Sequence, residues 1–160
     1  MDFAFEYVQS RGGLCSEQAY PYVGSDRSCA NAGCSKVLPQ SFIVGFVDVP
    51  QTDAALASAL QLQPVSVAIE ATSQAFQFYS RGVLTGQCGT RLNHGVLAVG
   101  YGTAIVSGTS VPYWKLKNSW GAAWGEAGYI RIARGAQYNR GAGQCGIYLA
   151  ASAPLLPLVA

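Results

Sequence analysis

Asn118-Ser119-Trp120-Gly121-Ala122-Ala123-Trp124-Gly125-Glu126-Ala127-Gly128-Tyr129-Ile130-Arg131-Ile132 puts two tryptophans, three glycines and one acid into a single passage. Ordinary core packing requires no such combination. The glycines mark a loop, and the alternation of Ile130 and Ile132 with Arg131 marks a half-buried strand over residues 129–134. The loop opens on Asn118. Upstream lies the only histidine of the chain, His94, in Leu92-Asn93-His94-Gly95-Val96-Leu97-Ala98-Val99-Gly100-Tyr101-Gly102. An imidazole used as a general base needs a fixed tautomer and ring orientation, and an amide side chain bonded to its far nitrogen fixes both. Trp120, two residues beyond the amide, is placed to shield that bond from water. Taken singly, a histidine in an apolar strand is ordinarily core and a loop asparagine ordinarily caps its own backbone. The aromatic and glycine pattern around the pair favours the catalytic reading.

The passage resembles the asparagine segment of the papain family of cysteine peptidases, in particular its cathepsin L-like members. Other stretches fall in the family's order: Tyr20-Pro21-Tyr22 with Cys29, Gln63-Pro64-Val65-Ser66-Val67-Ala68-Ile69-Glu70, Phe76-Gln77-Phe78-Tyr79-Ser80-Arg81-Gly82, Cys88-Gly89, Asn93-His94-Gly95 and Cys145-Gly146-Ile147-Tyr148. The resemblance implies an α+β fold: the C-terminal β-rich, barrel-like domain of a papain-like protease plus a remnant of its helical domain. It implies cysteine-type peptidase activity in which His94 acts as base, Asn118 orients it and Trp120 supports both.

What is missing matters equally. The family's nucleophile sits in a Gln-x-x-x-Cys-x-x-Cys-Trp segment that also supplies the oxyanion-hole glutamine, and none of Cys15, Cys29, Cys34, Cys88 or Cys145 is followed by Trp. A nucleophilic thiol needs a depressed pKa, commonly from a helix N-terminus and a nearby imidazolium. Met1-Asp2-Phe3-Ala4-Phe5-Glu6-Tyr7-Val8 resembles a helix that lies well inside the mature family enzymes. The expectation is an N-terminally truncated chain, inactive without its upstream nucleophile segment.

The resemblance also assigns the supporting residues. Ala68, Leu92, Asn93, Gly95 and Ala150 match substrate-binding positions; small Ala68 and Ala150 imply a roomy apolar pocket that prefers Leu, Phe or Val-like side chains over Arg. Cys88 and Cys145 match a family disulfide, and Cys29 a cysteine whose partner lies upstream. Cys15 and Cys34 have no clear counterpart, so a Cys29–Cys34 pair and three free thiols both stay open. Peptide or protein substrates, cystatin-like inhibitors and the missing N-terminal segment are the implied partners, in a lysosomal, vacuolar or extracellular setting. No cofactor is implied.

Composition narrows the remaining classes. Half of the 160 residues are hydrophobic and 11% are charged, with a formal net charge of +2, a globular balance without the basic footprint of a nucleic-acid binder. No apolar run approaches the roughly 20 residues that span a bilayer. Asp2 and Glu6 stand where a signal peptide carries positive charge. The cysteines and single histidine lack C-x-x-C or H-x-x-x-H spacing, so no metal site is expected. Glu70 and Glu126 match structural positions of the family, not a glycosidase pair.

Along the chain, Phe3, Ala4, Tyr7 and Val8 recur at helical spacing until Gly12-Gly13, which predicts a helix over 1–11. Residues 14–37 read as loop. Residues 41–49 lean to strand, Thr52 caps a helix over 53–61, and Pro64 opens the strand 65–69. A short helix spans 73–79, and strands follow over 94–100, 113–117 and 129–134. The expected division is a helical-domain remnant over 1–37, a β-rich domain over 38–152 and a tail over 153–160. The competing function is a non-catalytic module that keeps the groove for binding peptides or an inhibitor; an unrelated disulfide-linked β-rich domain would leave the motif order to coincidence.

Overall fold

The computed structural model describes residues 1–29 and 33–157, which fall into two units. Unit 1 comprises Met1–Val47 with Pro154–Ala160, and unit 2 comprises Asp48–Ala153.

Unit 1 opens with helix α1 (Asp2–Ser10), which buries none of its residues. Phe5 stacks on Phe46, the centroids 6.2 Å apart, while Phe3 on the same helix is 85% exposed. The stretch read as loop contains a short antiparallel pair, β1 (Gly13–Cys15) with β2 (Lys36–Pro39). Gly13, at φ +100°, lies so close to the Leu38 carbonyl that no side chain fits there. The register sets Cys15 opposite Lys36 and so brings Cys15 to Cys34, their Cα atoms 5.9 Å apart and their sulfurs joined. Cys34 therefore pairs with Cys15 and not with its sequence neighbour Cys29, because strand pairing and not chain proximity sets the approach. The Cys29 sulfur lies 3.3 Å from the Tyr7 hydroxyl. Strand β3 (Gly45–Asp48) follows a 3-10 turn over Gln40–Phe42, and the Val44 N–H donates to the Leu155 carbonyl.

Unit 2 carries α2 (Asp53–Leu60), β4 (Val65–Ile69), α3 (Gln74–Gln77), β5 (Val83–Leu84), β6 (His94–Val106), β7 (Thr109–Lys117), β8 (Tyr129–Ala133) and most of β9 (Ala151–Leu155). Both helices start at side-chain caps: Thr52 accepts from the Ala55 N–H and Ser73 from the Phe76 N–H, each at 3.2 Å. The strands of this unit lie in the order β9-β4-β6-β7-β8-β5, antiparallel except for β5, which runs parallel to β8. One face of the sheet buries Val65, Val67, Ile69, Val96, Ala98, Trp114, Leu116, Ile130 and Ile132, packed with Leu56, Phe76, Ile147 and Tyr148. Complete burial of each larger side chain contributes about 1.5–3 kcal/mol. The Cys88–Cys145 disulfide closes a span of 57 residues inside this core, worth about 4 kcal/mol by chain entropy.

β6 and β7 are longer than the sequence pattern indicates. Their outer ends form a ribbon that turns at Ser107 (φ 49°) and Gly108 (φ 79°), both left-handed, as a two-residue hairpin requires. Residues 153–155, expected in the tail, continue β9. Residues 158–160 lie outside the described part. Among the described residues no helix is long and apolar enough to cross a membrane.

α2 is tied to the sheet by Asp53. Its carboxylate accepts from Arg134 through two nitrogens and from the Tyr148 hydroxyl at 2.8 Å. Those bonds, the Arg134 guanidinium first, hold the Asp53 carboxyl below its usual range, and burial pushes the Tyr148 phenol up to about 12.

Candidate active site

His94 is the first residue of β6. It shares a face with Val96 and Ala98, since side chains alternate along a strand, but stands where the core face ends and is therefore only half-buried. The strand start is fixed on its neighbour: His94 pairs with Ile69, the Asn93 N–H donates to the Ile69 carbonyl, and the Asn93 side-chain oxygen accepts from the Ala71 N–H at 3.0 Å.

Asn118 leaves the end of β7, whose Lys117 pairs with Leu97 of β6. Its own N–H is held by the Gly128 carbonyl at 2.9 Å, so the loop folds back under it. The Asn118 Oδ1 lies 2.8 Å from His94 Nε2 and also accepts the Ser119 backbone N–H at 2.8 Å. The second bond decides the first. A backbone N–H only donates, so the shared atom is the amide oxygen, and His94 Nε2 must then carry the hydrogen it contributes. In the neutral ring the other nitrogen, Nδ1, is the basic one. The Asn118 Nδ2 is buried without a partner among the described residues, a cost of about 1–3 kcal/mol that the fold tolerates at this position.

Trp120 covers this bond. Its ring lies 5.1 Å from the His94 ring, tilted by 30°, with 41% of the residue exposed. Phe76, fully buried, meets the His94, Trp120 and Trp124 rings at 6.4, 5.5 and 5.4 Å. The imidazole thus packs against the indole, and the Phe76 ring, in edge contact with Trp120, backs them both. Excluding water there strengthens the Nε2–H···Oδ1 bond. Phe76 and Trp124 have no role assigned by the sequence reading; the signal that positions them is the Ser73 cap, which starts α3 so that Phe76 points inward.

Of the proposed pocket residues, Ala68 and Gly95 lie side by side on the opposite, outer face of the sheet, with Ala150 hydrogen-bonded to Ala68. Ala68 pairs with Gly95, and the Ala68 N–H donates to the Ala150 carbonyl at 2.9 Å. Open space stands where a Gly95 side chain would lie. Leu92, 37% exposed, lies apart from these residues, over Gly146. The loop between Cys88 and Leu92 is pinned by Glu70, whose carboxylate accepts from the Arg91 N–H at 2.6 Å and the Thr72 hydroxyl at 2.8 Å. Those bonds, the Arg91 N–H first, lower the Glu70 pKa.

The model of the papain family of cysteine proteases matches residues 1–155. The KDEL-tailed cysteine endopeptidase CEP2 of Arabidopsis thaliana and vignain of Ricinus communis are each 50% identical over 156 residues, 97% of this chain and 41% of the relative. The chain thus spans about two-fifths of the length of these curated relatives. The bromelain protease of Ananas comosus, solved with the E64 inhibitor, superposes with a TM-score of 0.86 at 40% identity, covering 98% of this chain and 69% of that one. The proform of Amb a 11, a ragweed pollen allergen, gives 0.84 at 40% identity over 98% and 46% of the two chains. The order of motifs, the β-rich fold and the His94–Asn118 pair converge with these likenesses: the chain belongs to the papain family of cysteine proteases.

Proposed function

We propose that this chain supplies the base and its orienting amide to a papain-type cysteine endopeptidase, with the nucleophilic thiol and the oxyanion-hole glutamine coming from outside these 160 residues. The observation that carries the reading is the Asn118 oxygen, which accepts both from His94 Nε2 and from the Ser119 N–H. With Nε2–H engaged, Nδ1 takes the proton of an approaching thiol. The thiolate then bonds to the peptide carbonyl carbon, and the imidazolium returns that proton to the departing amine as the C–N bond breaks. Water attacks the resulting thioester as Nδ1 accepts its proton, and the acid leaves as the C–S bond breaks, the released sulfur taking that proton back from Nδ1. Asn118 holds the ring throughout. The substrate class is peptides with a Leu, Phe or Val-like side chain, seated at Ala68, Leu92, Asn93, Gly95 and Ala150. Cystatin-like inhibitors are the proposed partners at the same residues, and a vacuolar, lysosomal or extracellular location fits a chain with two disulfides.

A second reading, a peptide- or inhibitor-binding module without catalysis, is favoured by one observation. Four of the five cysteines are in disulfides, and Cys29 meets Tyr7 in unit 1. The test mixes the purified chain with a separately produced segment of the Gln-x-x-x-Cys-x-x-Cys-Trp type, confirmed folded. Peptide hydrolysis by the mixture, absent from either part and abolished by His94→Ala, supports the enzyme. Binding of peptide without hydrolysis supports the module.

A further inference from the structure

The His94 ring rests against two pieces of chain that come from different parts of unit 2 and touch each other beside it. One is the segment through α3 to Gly82, which contributes Phe76; the other is the loop 118–128, which contributes Asn118 and Trp120. The loop is closed on itself by backbone bonds from Asn118 to Gly128, Gly128 to Trp124 and Trp124 to Gly121. Those bonds shape it without joining it to α3; the Phe76 contacts with Trp120 and Trp124 and the Val83–Arg131 pairing do that, and two hydrogen bonds add direction to them. The Trp124 indole N–H donates to the Gln77 carbonyl at 2.9 Å, and the Glu126 carboxylate accepts the Gly82 N–H at 3.0 Å. The same carboxylate is gripped from β8 by Arg131, whose Nε donates to Oε2 at 2.8 Å and whose Nη2 donates to Oε1. A bidentate guanidinium fixes the plane of a carboxylate as well as its position. Tyr79 closes the arrangement, its hydroxyl donating to the Gly82 carbonyl at 2.6 Å and accepting the Arg131 N–H at 3.3 Å.

We infer that Glu126 is a positioning residue for the His94–Asn118 pair: by strapping Gly82 to the loop it holds Trp120 against Phe76, the aromatic surface on which the imidazole rests. The inference rests on reading that pair as the catalytic one. The Arg131 guanidinium beside Glu126 holds its carboxyl below the usual range, so the strap is charged under ordinary conditions. Replacing the carboxylate by an amide leaves every backbone bond of the loop in place but ends the two-point grip of Arg131, so the group that accepts the Gly82 N–H is no longer held in place. The expected result is a Trp120 ring less firmly seated on Phe76 and His94, so that water reaches the Nε2–H and the ring samples its other tautomer.

The chain contains one histidine, so its imidazole signals in nitrogen-edited NMR are unambiguous. In the parent chain the Nε2–H proton should be visible and protected from exchange. In Glu126→Gln it should be lost to exchange, with a shifted Trp120 indole signal, while the fold is retained. Asp53→Asn, which breaks the other ion pair of unit 2, is the comparison: it should lower the unfolding midpoint and leave both signals where they were. Should Glu126→Gln not fold, Glu126→Asp keeps the charge but withdraws the carboxylate from Gly82, and should lose the same proton. An unchanged Nε2–H in a folded Glu126 variant overturns the inference, as does its equal loss in Asp53→Asn. A parent chain without a protected Nε2–H removes the reading of the His94–Asn118 pair itself, and the role of Glu126 with it.

Discussion

The two units are held together by different means. Unit 2 has a continuous core in which Trp114, Leu116, Ile130 and Ile132 are wholly inaccessible, and its disulfide runs through that core. In unit 1 the helix buries nothing, Tyr22 is 87% exposed, and residues 13–15 and 36–39 form a two-stranded ribbon with a disulfide beside it. Catalytic geometry needs side chains fixed to fractions of an ångström, which packing supplies and a staple alone does not. His94 and Asn118 accordingly stand in unit 2.

The sharpest way to break this contrast is to remove each staple in turn. Replacing Cys88 and Cys145 together by Ala should cost unit 2 about 4 kcal/mol, read by denaturant unfolding of the Trp fluorescence; a loss under 1 kcal/mol on the same scale would show that packing alone suffices there. Acid should come next. The Asp53, Glu70 and Glu126 carboxyls are all held below their usual values and all lie in unit 2. Stability from a depressed carboxyl is present above the unfolded pKa, about 3.9–4.3, and is lost as the pH falls through the folded value. Unit 2 should therefore weaken from about pH 4 downward, and Glu70→Gln should flatten part of that slope. A parent and variant with parallel acid curves would remove the role given to Glu70. A smaller effect is expected at the α2 cap, where Thr52→Ala should cost about 1 kcal/mol, measurable as a shift in denaturant midpoint at constant slope. The smallest is the decisive counterpart of the first: Cys15→Ser with Cys34→Ser should leave the unfolding of unit 2 unchanged, with faster amide exchange confined to residues 13–39. Exchange that quickens at β4 or β6 would mean that the two units do not separate energetically.

Most of unit 2 was legible because its signals are local. Thr52, Ser73 and Pro64 mark where elements start by their own chemistry, and the alternation of β4 and β8 follows from one buried face. The His94–Asn118 pair was legible only through its surroundings, as neither residue type is unusual alone. What escaped depends on long-range pairing. β5 is two residues long and exists because β8 offers it an edge; no periodicity is visible over two residues. β1 and β2 lie in a turn-rich stretch, so the Cys15–Cys34 approach could not be read from spacing. Gly100 and Gly102 interrupt the apolar pattern of β6, hiding the ribbon beyond them, although Ser107-Gly108 between β-branched runs is a hairpin signal that a closer reading finds. The Glu126–Gly82 contact joins residues 44 positions apart and has no sequence signature.

One atom pair carries a consequence for how this site can change over generations. Which nitrogen of His94 carries the hydrogen is set by the Ser119 N–H, which belongs to the main chain. Any residue but one at position 119 donates the same bond, so the exposed side chain there is free to vary while the ring keeps its polarity. Proline alone lacks the hydrogen. With it the Asn118 amide loses the donor that distinguishes its oxygen from its nitrogen, a half-turn of that amide would present Nδ2 to the imidazole, and the basic nitrogen would become the one facing inward. A ring polarity written in backbone is robust to almost every substitution and exposed to a single one.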